Sequence, residues 1–297
     1  MNKNLWLFVI PALIWGSTWF TIKFQLGIVD PLVSVVYRYL LAGVLMLSFC
    51  VLAKKKMKFS LGDHGFMALQ GLLLFGVNYW LVYEAEVYLA SGLIAVAYST
   101  LVFLNSAFGA IFLKRAINKQ VIIAALFGLS GTILIFSNEF MGLSFTKQTI
   151  QGTIITVLSV VIASLGNITS ARNSANQIPV IQANAFGMLY GGIWMFILAL
   201  VLGRPFSFDP SAGYIISLLY LTIFGSIIAF GTYLTLISRV GADKAAYALV
   251  VIPVIAIGIS LVFENYQMTP YAAVGIVLIM IGNVLAIRKK KQVTAKV

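Results

Sequence analysis

Ten apolar helices crossing a membrane, built as two inverted five-helix repeats with both termini cytoplasmic, are the all-α architecture this 297-residue chain predicts. Three observations carry that prediction. Hydrophobic residues make up 61% of the chain and charged residues 9%, against about 45–50% and about 25% in soluble domains. So few charges cannot cover a water-facing surface of this size. Next, residues 91–113 (SGLIAVAYSTLVFLNSAFGAIFL) are echoed by residues 240–263 (VGADKAAYALVVIPVIAIGISLVF). One step of 149 residues carries Gly92 to Gly241, Tyr98 to Tyr247 and Phe75-Gly76 to Phe224-Gly225. The third observation is a one-sided distribution of Lys and Arg, taken up below.

The step is close to half the chain, so residues 1–148 and 149–297 read as two copies of one unit. Ten segments have the composition of a spanning helix, which needs roughly 20 apolar residues. They fall at 5–23, 31–53, 65–88, 92–113 and 120–137 in the first copy. In the second they fall at 151–171, 179–202, 213–238, 244–263 and 270–287. The first follows Met1-Asn2-Lys3-Asn4 and resembles a signal peptide at its start. It runs on through Trp15-Gly16-Ser17-Thr18-Trp19 without a small-x-small cleavage site, so it reads as a helix that is kept. The second, seventh and tenth open on Pro31, Pro179 and Pro270, at helix starts where a missing N–H costs little. The fourth and ninth are the echoed pair, and Gly187 and Gly191 in the seventh form a GxxxG pair suited to close helix approach.

With the N-terminus inside, sixteen Lys and Arg residues fall in cytoplasmic loops and ends: Lys3, the cluster Lys54, Lys55, Lys56 and Lys58, then Lys114, Arg115, Lys119, Arg172, Arg239, Lys244, the run 288–291 and Lys296. Three (Lys23, Lys147 and Arg204) fall outside. That bias puts both termini in the cytoplasm. Five helices per copy is odd, so the copies must be inverted, and inverted repeats are a transporter architecture with its site near the midplane between the halves.

Several stretches in order resemble the EamA-type family of the drug/metabolite transporter superfamily. In the first half they are Ile14-Trp15-Gly16-Ser17-Thr18-Trp19, Tyr37-Arg38-Tyr39-Leu40-Leu41-Ala42 and Ala90-Ser91-Gly92-Leu93. In the second they are Ile252-Pro253-Val254, Phe263-Glu264, and Gly275 with Gly282. The resemblance implies a central cavity through which small metabolites, often amino acids, are exported. The chain departs from the family at the end of the fourth helix, where Lys114-Arg115 replaces the usual Gly-Glu.

The residues themselves suggest where a substrate would bind. Tyr79, Tyr83 and Glu86 share one face of the third helix, with Asn78 at its shoulder. Glu84 and Glu86 are the coupling candidates, because an ionisable group in a membrane helix is costly without a task or a partner; near the outer boundary either also has water within reach. Tyr98 recurs as Tyr247, offering two phenols at equivalent depth, and an amphipathic ring suits a cavity for a partly apolar metabolite. Asn105 must face protein or water. Trp15, Asn167 and Tyr233 complete the substrate-binding set. Arg38, two turns into the second helix, is expected to play a structural or gating part, by snorkelling or by satisfying carbonyls of a broken helix, with a substrate carboxylate as its other use. Pro253 frees a backbone carbonyl in the ninth helix and is a hinge or a fixed kink.

Other classes lose ground. Net charge +12 would suggest nucleic acid in a soluble protein, but here the cations sit in short loops, and no nucleic-acid partner is expected. One Cys (Cys50) and one His (His64) make neither an internal disulfide nor a Cys/His zinc site, so no metal and no cofactor is expected. The sequence lacks the G-x-x-x-x-G-K-[ST] loop, the H-E-x-x-H pair and the G-x-S-x-G elbow. The expectation is a non-enzymatic secondary transporter of the cytoplasmic membrane, exporting amino acids or related compounds by alternating access. Its partners are a small-molecule substrate and the lipid bilayer, and ten helices suffice for a monomer, with a homodimer as alternative. An importer of the same fold and a lipid-handling protein are the rival readings.

Overall fold

Asp30, Ser60, Ser211 and Thr269 each start a helix, and the described residues are helical almost throughout. The computed structural model describes residues 5–114, 119–141, 147–240 and 247–287. Lys3, Arg115, Gly241, Lys244, the run 288–291 and Lys296 lie outside the described residues, as does the side chain of Tyr247. The first half contains α1 (Leu5–Ile22), a 3-10 turn (Lys23–Gln25), α2 (Pro31–Leu52), α3 (Leu61–Gln70), a π-helical stretch (Gly71–Val77), α4 (Asn78–Tyr88), α5 (Ser91–Tyr98), α6 (Leu101–Leu113) and α7 (Lys119–Met141). The second contains α8 (Lys147–Ala175), α9 (Val180–Val201), α10 (Ala212–Tyr220), a second π stretch (Leu221–Ile228), α11 (Ala229–Val240), α12 (Tyr247–Phe263) and α13 (Pro270–Ile287). No strand occurs among the described residues. Six helices there are long and apolar enough to cross a membrane, or seven if α5 and α6 count as one bent span.

The ends have local causes. Asp30 accepts from Leu32 N (2.8 Å) ahead of Pro31, and Ser60 forms a capping box with Asp63. Ser211 accepts from Tyr214 N (3.3 Å) and Thr269 from Ala272 N (3.1 Å). α2 and α9 stop in the same way 149 residues apart. Lys54 and Gly203 both take the left-handed conformation, at φ 49 and 63. Lys54 N and Lys55 N bond back to Val51 O and Cys50 O, as Gly203 N and Arg204 N do to Leu200 O and Ala199 O.

Three spans are less regular than the apolar pattern predicts. The third and eighth each widen into a π stretch at equivalent points, and the fourth breaks at Ser99-Thr100. There Ser99 N and Thr100 N bond only three residues back, to Val96 O and Ala97 O, and Thr100 Oγ1 donates to Ala97 O (2.7 Å). Hydroxyls competing for backbone partners tighten such a turn, and α5 and α6 meet at 42°.

Helices of one half pack along helices of the other: α2 on α9, α1 on α12, α6 on α8 and α7 on α13. The tightest approach is glycine on glycine. A Cβ on Gly191 would stand 2.6 Å from Gly71 O, and one on Gly71 would strike Gly187 O and Gly191 N. The core beside that crossing holds Val36 and Tyr39 of α2, Phe75 of the π stretch, and Met188 and Met195 of α9. Apolar side chains such as Leu13, Val44, Ile133 and Val262 point outward, the arrangement lipid requires.

Candidate functional site

Between the halves lies a cavity of about 460 Å³, within the range of small-molecule sites. It runs from Ile22, Val82 and Ala95 toward Val180, Leu249 and Asn283 at the opposite helix ends. Of its 25 described lining residues six are aromatic and five carry a side-chain amide, and most of the rest are aliphatic.

On one side, Trp15 is fixed by its Nε1, which donates to the Gly225 carbonyl (3.1 Å), and by edge contacts with Phe230 (5.0 Å) and Tyr233 (5.4 Å). Gly225 belongs to the second π stretch, and its Cα lies so near that a Cβ there would stand 2.9 Å from Thr18 and 3.4 Å from Arg38. Facing it, Trp19 tilts on Tyr98 (4.8 Å). The Tyr98 hydroxyl donates to Asn78 Oδ1, while Asn78 Nδ2 donates to Leu74 O (3.2 Å). Deeper, Asn105 Oδ1 accepts from Ser164 Oγ (2.8 Å) and Asn167 Nδ2 (3.4 Å), tying α6 to α8 at the wall.

Arg38 neither snorkels nor caps a broken helix. It is 1% exposed and lines the cavity. Its Nε and Nη2 both donate to Ser226 Oγ (3.3 Å) and its Nη1 to Tyr83 Oη (3.4 Å), with its guanidinium over the rings of Tyr79 (4.7 Å) and Tyr39 (5.1 Å). The π stretch delivers Ser226, whose own hydroxyl donates five residues back to Leu221 O (3.0 Å). π turns recur at functional sites.

Beyond Ile22 the molecule is packed shut. Lys23 Nζ donates to the carbonyls of Glu86 and Leu89 (2.7 Å to the latter) and stands 3.7 Å from the Glu264 carboxylate. Glu264, from the end of α12, accepts from Ser91 N (3.2 Å), Ser91 Oγ (2.6 Å) and Ser260 Oγ. Ser260 Oγ in turn accepts from Gly92 N (2.9 Å). Ala90 gives α5 no side-chain cap, so this distant carboxylate serves as one, at the helix end that favours negative charge. Glu86 is 1% exposed, and neither carboxylate oxygen has a hydrogen-bond partner.

Of the residues singled out from sequence, Trp15, Asn78, Tyr79, Tyr98, Asn105, Asn167, Tyr233, Arg38 and Pro253 all line this one cavity. Tyr83 does not. It is fully buried behind Arg38, whose side chain from α2 comes between it and the space. Glu84 accepts from Trp80 Nε1 (3.0 Å) and does not line the cavity, while Glu86 is sealed in the closed end rather than reaching water. Pro253 sits inside a continuous α12. The wall also holds Ser99, Asn184 and Asn283, which the sequence does not single out; Asn283 is a lone polar residue in an apolar run, whereas Ser99 stands beside Thr100 and Asn184 two places from Gln182.

Residues 2–137 and again 142–288 match the model of the EamA-like transporter family. YedA of Escherichia coli K12, named an uncharacterized inner membrane transporter, is 30% identical over 270 residues, 90% of this chain and 85% of YedA. PagO of Salmonella typhimurium is 23% identical over 279 residues, covering 93% and 90% of the two chains. YoaV of Bacillus subtilis, named an uncharacterized transporter, is 22% identical over 277 residues, covering 91% and 92%. A crystal structure with 17% identity superposes with a TM-score of 0.69 over 96% of each chain, a likeness of fold.

Proposed function

Since this chain belongs to the EamA-like transporter family, we propose that it is a secondary transporter exporting amino acids or related small metabolites by alternating access. It is a multi-pass protein of the inner membrane. The observation that carries the proposal is the cavity, whose walls come from helices of both halves, so that rocking one half on the other changes which end is closed. The reading takes the chain as ten spans in two inverted halves with cytoplasmic termini. The charge bias and the matched stops of α2 and α9 support it. On that orientation the Lys23–Glu264 cluster closes the outer end and the cavity extends toward the cytoplasm. Family and relatives support a carrier rather than an enzyme.

Glu86 is the coupling candidate within this reading, because its buried carboxylate has no hydrogen-bond partner and an ionisable group inside a membrane helix is costly without a task. The test is uptake of an amino-acid panel into liposomes holding purified protein, with and without an imposed pH gradient. Saturable uptake without a gradient establishes facilitated transport. Uptake only with one makes Glu86→Gln the next measurement, and no flux in either case removes the amino-acid reading. Efflux against influx rates in the same vesicles decide export against import. Tyr98→Ala removes a ring from the wall and the bond to Asn78, and is expected to cut uptake at least tenfold with the amount of folded protein unchanged; unchanged flux would take Tyr98 out of the site.

A further inference from the structure

Arg38 presents a charge with no ion-pair partner among the described residues, although the buried Glu86 carboxylate lies near enough to feel it. A guanidinium has five N–H donors in a planar fork. Here three bonds are made, all at 3.3–3.4 Å and all to neutral hydroxyls. None of the ion pairs among the described residues includes Arg38. Among the described residues that line the cavity there is no Asp or Glu, and Arg38 is the one that carries a formal charge. A buried charge without an opposite partner is expensive, and the aromatic faces of Tyr39 and Tyr79 offset only part of that cost. The wall also holds two buried polar atoms without a hydrogen-bond partner, Ser99 Oγ and Asn283 Oδ1. Each is suited to a polar group of a guest molecule, while the rings of Trp15, Trp19 and Tyr233 suit an apolar remainder.

We propose that Arg38 is the carboxylate-binding residue of this cavity and sets its specificity. It selects small molecules with one carboxylate and an apolar or aromatic body, zwitterions included, over their uncharged or cationic counterparts. Resting on the transporter reading, the assignment names the group that reads the solute. One fixed cation and no acid among the described lining residues favour a single negative charge on the guest. The planar fork matches a carboxylate through two parallel hydrogen bonds, a geometry a lysine cannot copy.

The experiment uses the full-length wild-type protein in liposomes. Matched pairs of equal size compete for uptake of radiolabelled L-phenylalanine, and their thermal stabilisation of the detergent-solubilised protein is recorded in parallel. The pairs are L-phenylalanine with L-phenylalaninamide, and 3-phenylpropanoate with 3-phenylpropanamide. Each acid is expected to compete at least tenfold better than its amide, as for hydrogen bonds to a charged group. Arg38→Met is expected to erase the difference and Arg38→Lys to restore part of it, an outcome that a purely structural arginine would not give. Equal competition by acid and amide in the wild type overturns the assignment even if the variants fail to fold. Flux of L-phenylalanine that neither acid inhibits beyond its amide overturns it while leaving the transporter reading in place. Absence of both flux and stabilisation by every compound overturns it together with the amino-acid reading.

Discussion

Gly71→Val should leave almost no folded protein, and Gly71→Ala should lower the melting temperature of the solubilised protein by roughly 2–12 °C. At this crossing the first π stretch lies backbone to backbone on α9, and an added Cβ would meet the Gly187 carbonyl and the Gly191 amide rather than a side chain able to move aside. Overpacking a close-fitted core costs about 1–3 kcal/mol for a small group, and each kcal/mol shifts the midpoint by about 2–4 °C in a chain of a few hundred residues. Valine adds two methyl groups at a contact that cannot accommodate one. Gly65→Ala is the control, since a Cβ there meets nothing within 4 Å; its melting temperature should hold or rise slightly, alanine being the better helix former. A Gly71→Ala protein as stable as the Gly65→Ala one would mean that the two backbones are not in contact.

The second large effect is expected at the closed end. Glu264→Gln keeps the shape of the side chain but removes the charge that draws Lys23 and caps α5 through Ser91. Charge-assisted hydrogen bonds are worth about 1.5–3 kcal/mol each, so the loss of even one should raise the population open at that end about tenfold. Ile22→Cys reports it: Ile22 lines the cavity just inside the cluster and is 2% exposed, and the single native cysteine, Cys50, is buried and contributes little background. Labelling by a membrane-impermeant maleimide should be slow with Ile22→Cys alone and about tenfold faster once Glu264→Gln is added. Equal rates would show that the cluster does not hold this end shut.

Much of the wall was legible because membrane helices are apolar by default, so Trp15, Tyr98, Asn105 and Asn167 stood out against their surroundings. The repeat sharpened the reading at Tyr98, whose twin is Tyr247. It gave no help with Asn184, Asn283 and Ser99, whose counterparts 149 residues away are Val35, Leu134 and Ala248. Tyr83 shares a helical face with Tyr79, yet only the path of Arg38 from another helix decides that one lines the cavity and the other stands behind it. The π stretches leave no mark on the apolar pattern, because one wide turn barely shifts its phase. Ser91 and Glu264 each stand in a motif of the sequence; that they meet across 173 residues is a property of the packing alone.

Glu264 caps α5 from across the molecule, and the residue 149 places before it is Arg115, a cation where the repeat would call for an acceptor at a helix N-terminus. Such bonding favours one end over the other. In a carrier that alternates between two facings, a one-sided preference becomes a ratio of populations, and the apparent dissociation constant at each face is the intrinsic one divided by the fraction of molecules presenting that face. A preference of about 1.4 kcal/mol would separate the two constants about tenfold. It would not concentrate anything by itself, since an uncoupled carrier brings both compartments to the same chemical potential whatever its bias. What it fixes is the concentration at which each side saturates, so the same molecule would respond to scarcity on one side of the membrane and to surplus on the other.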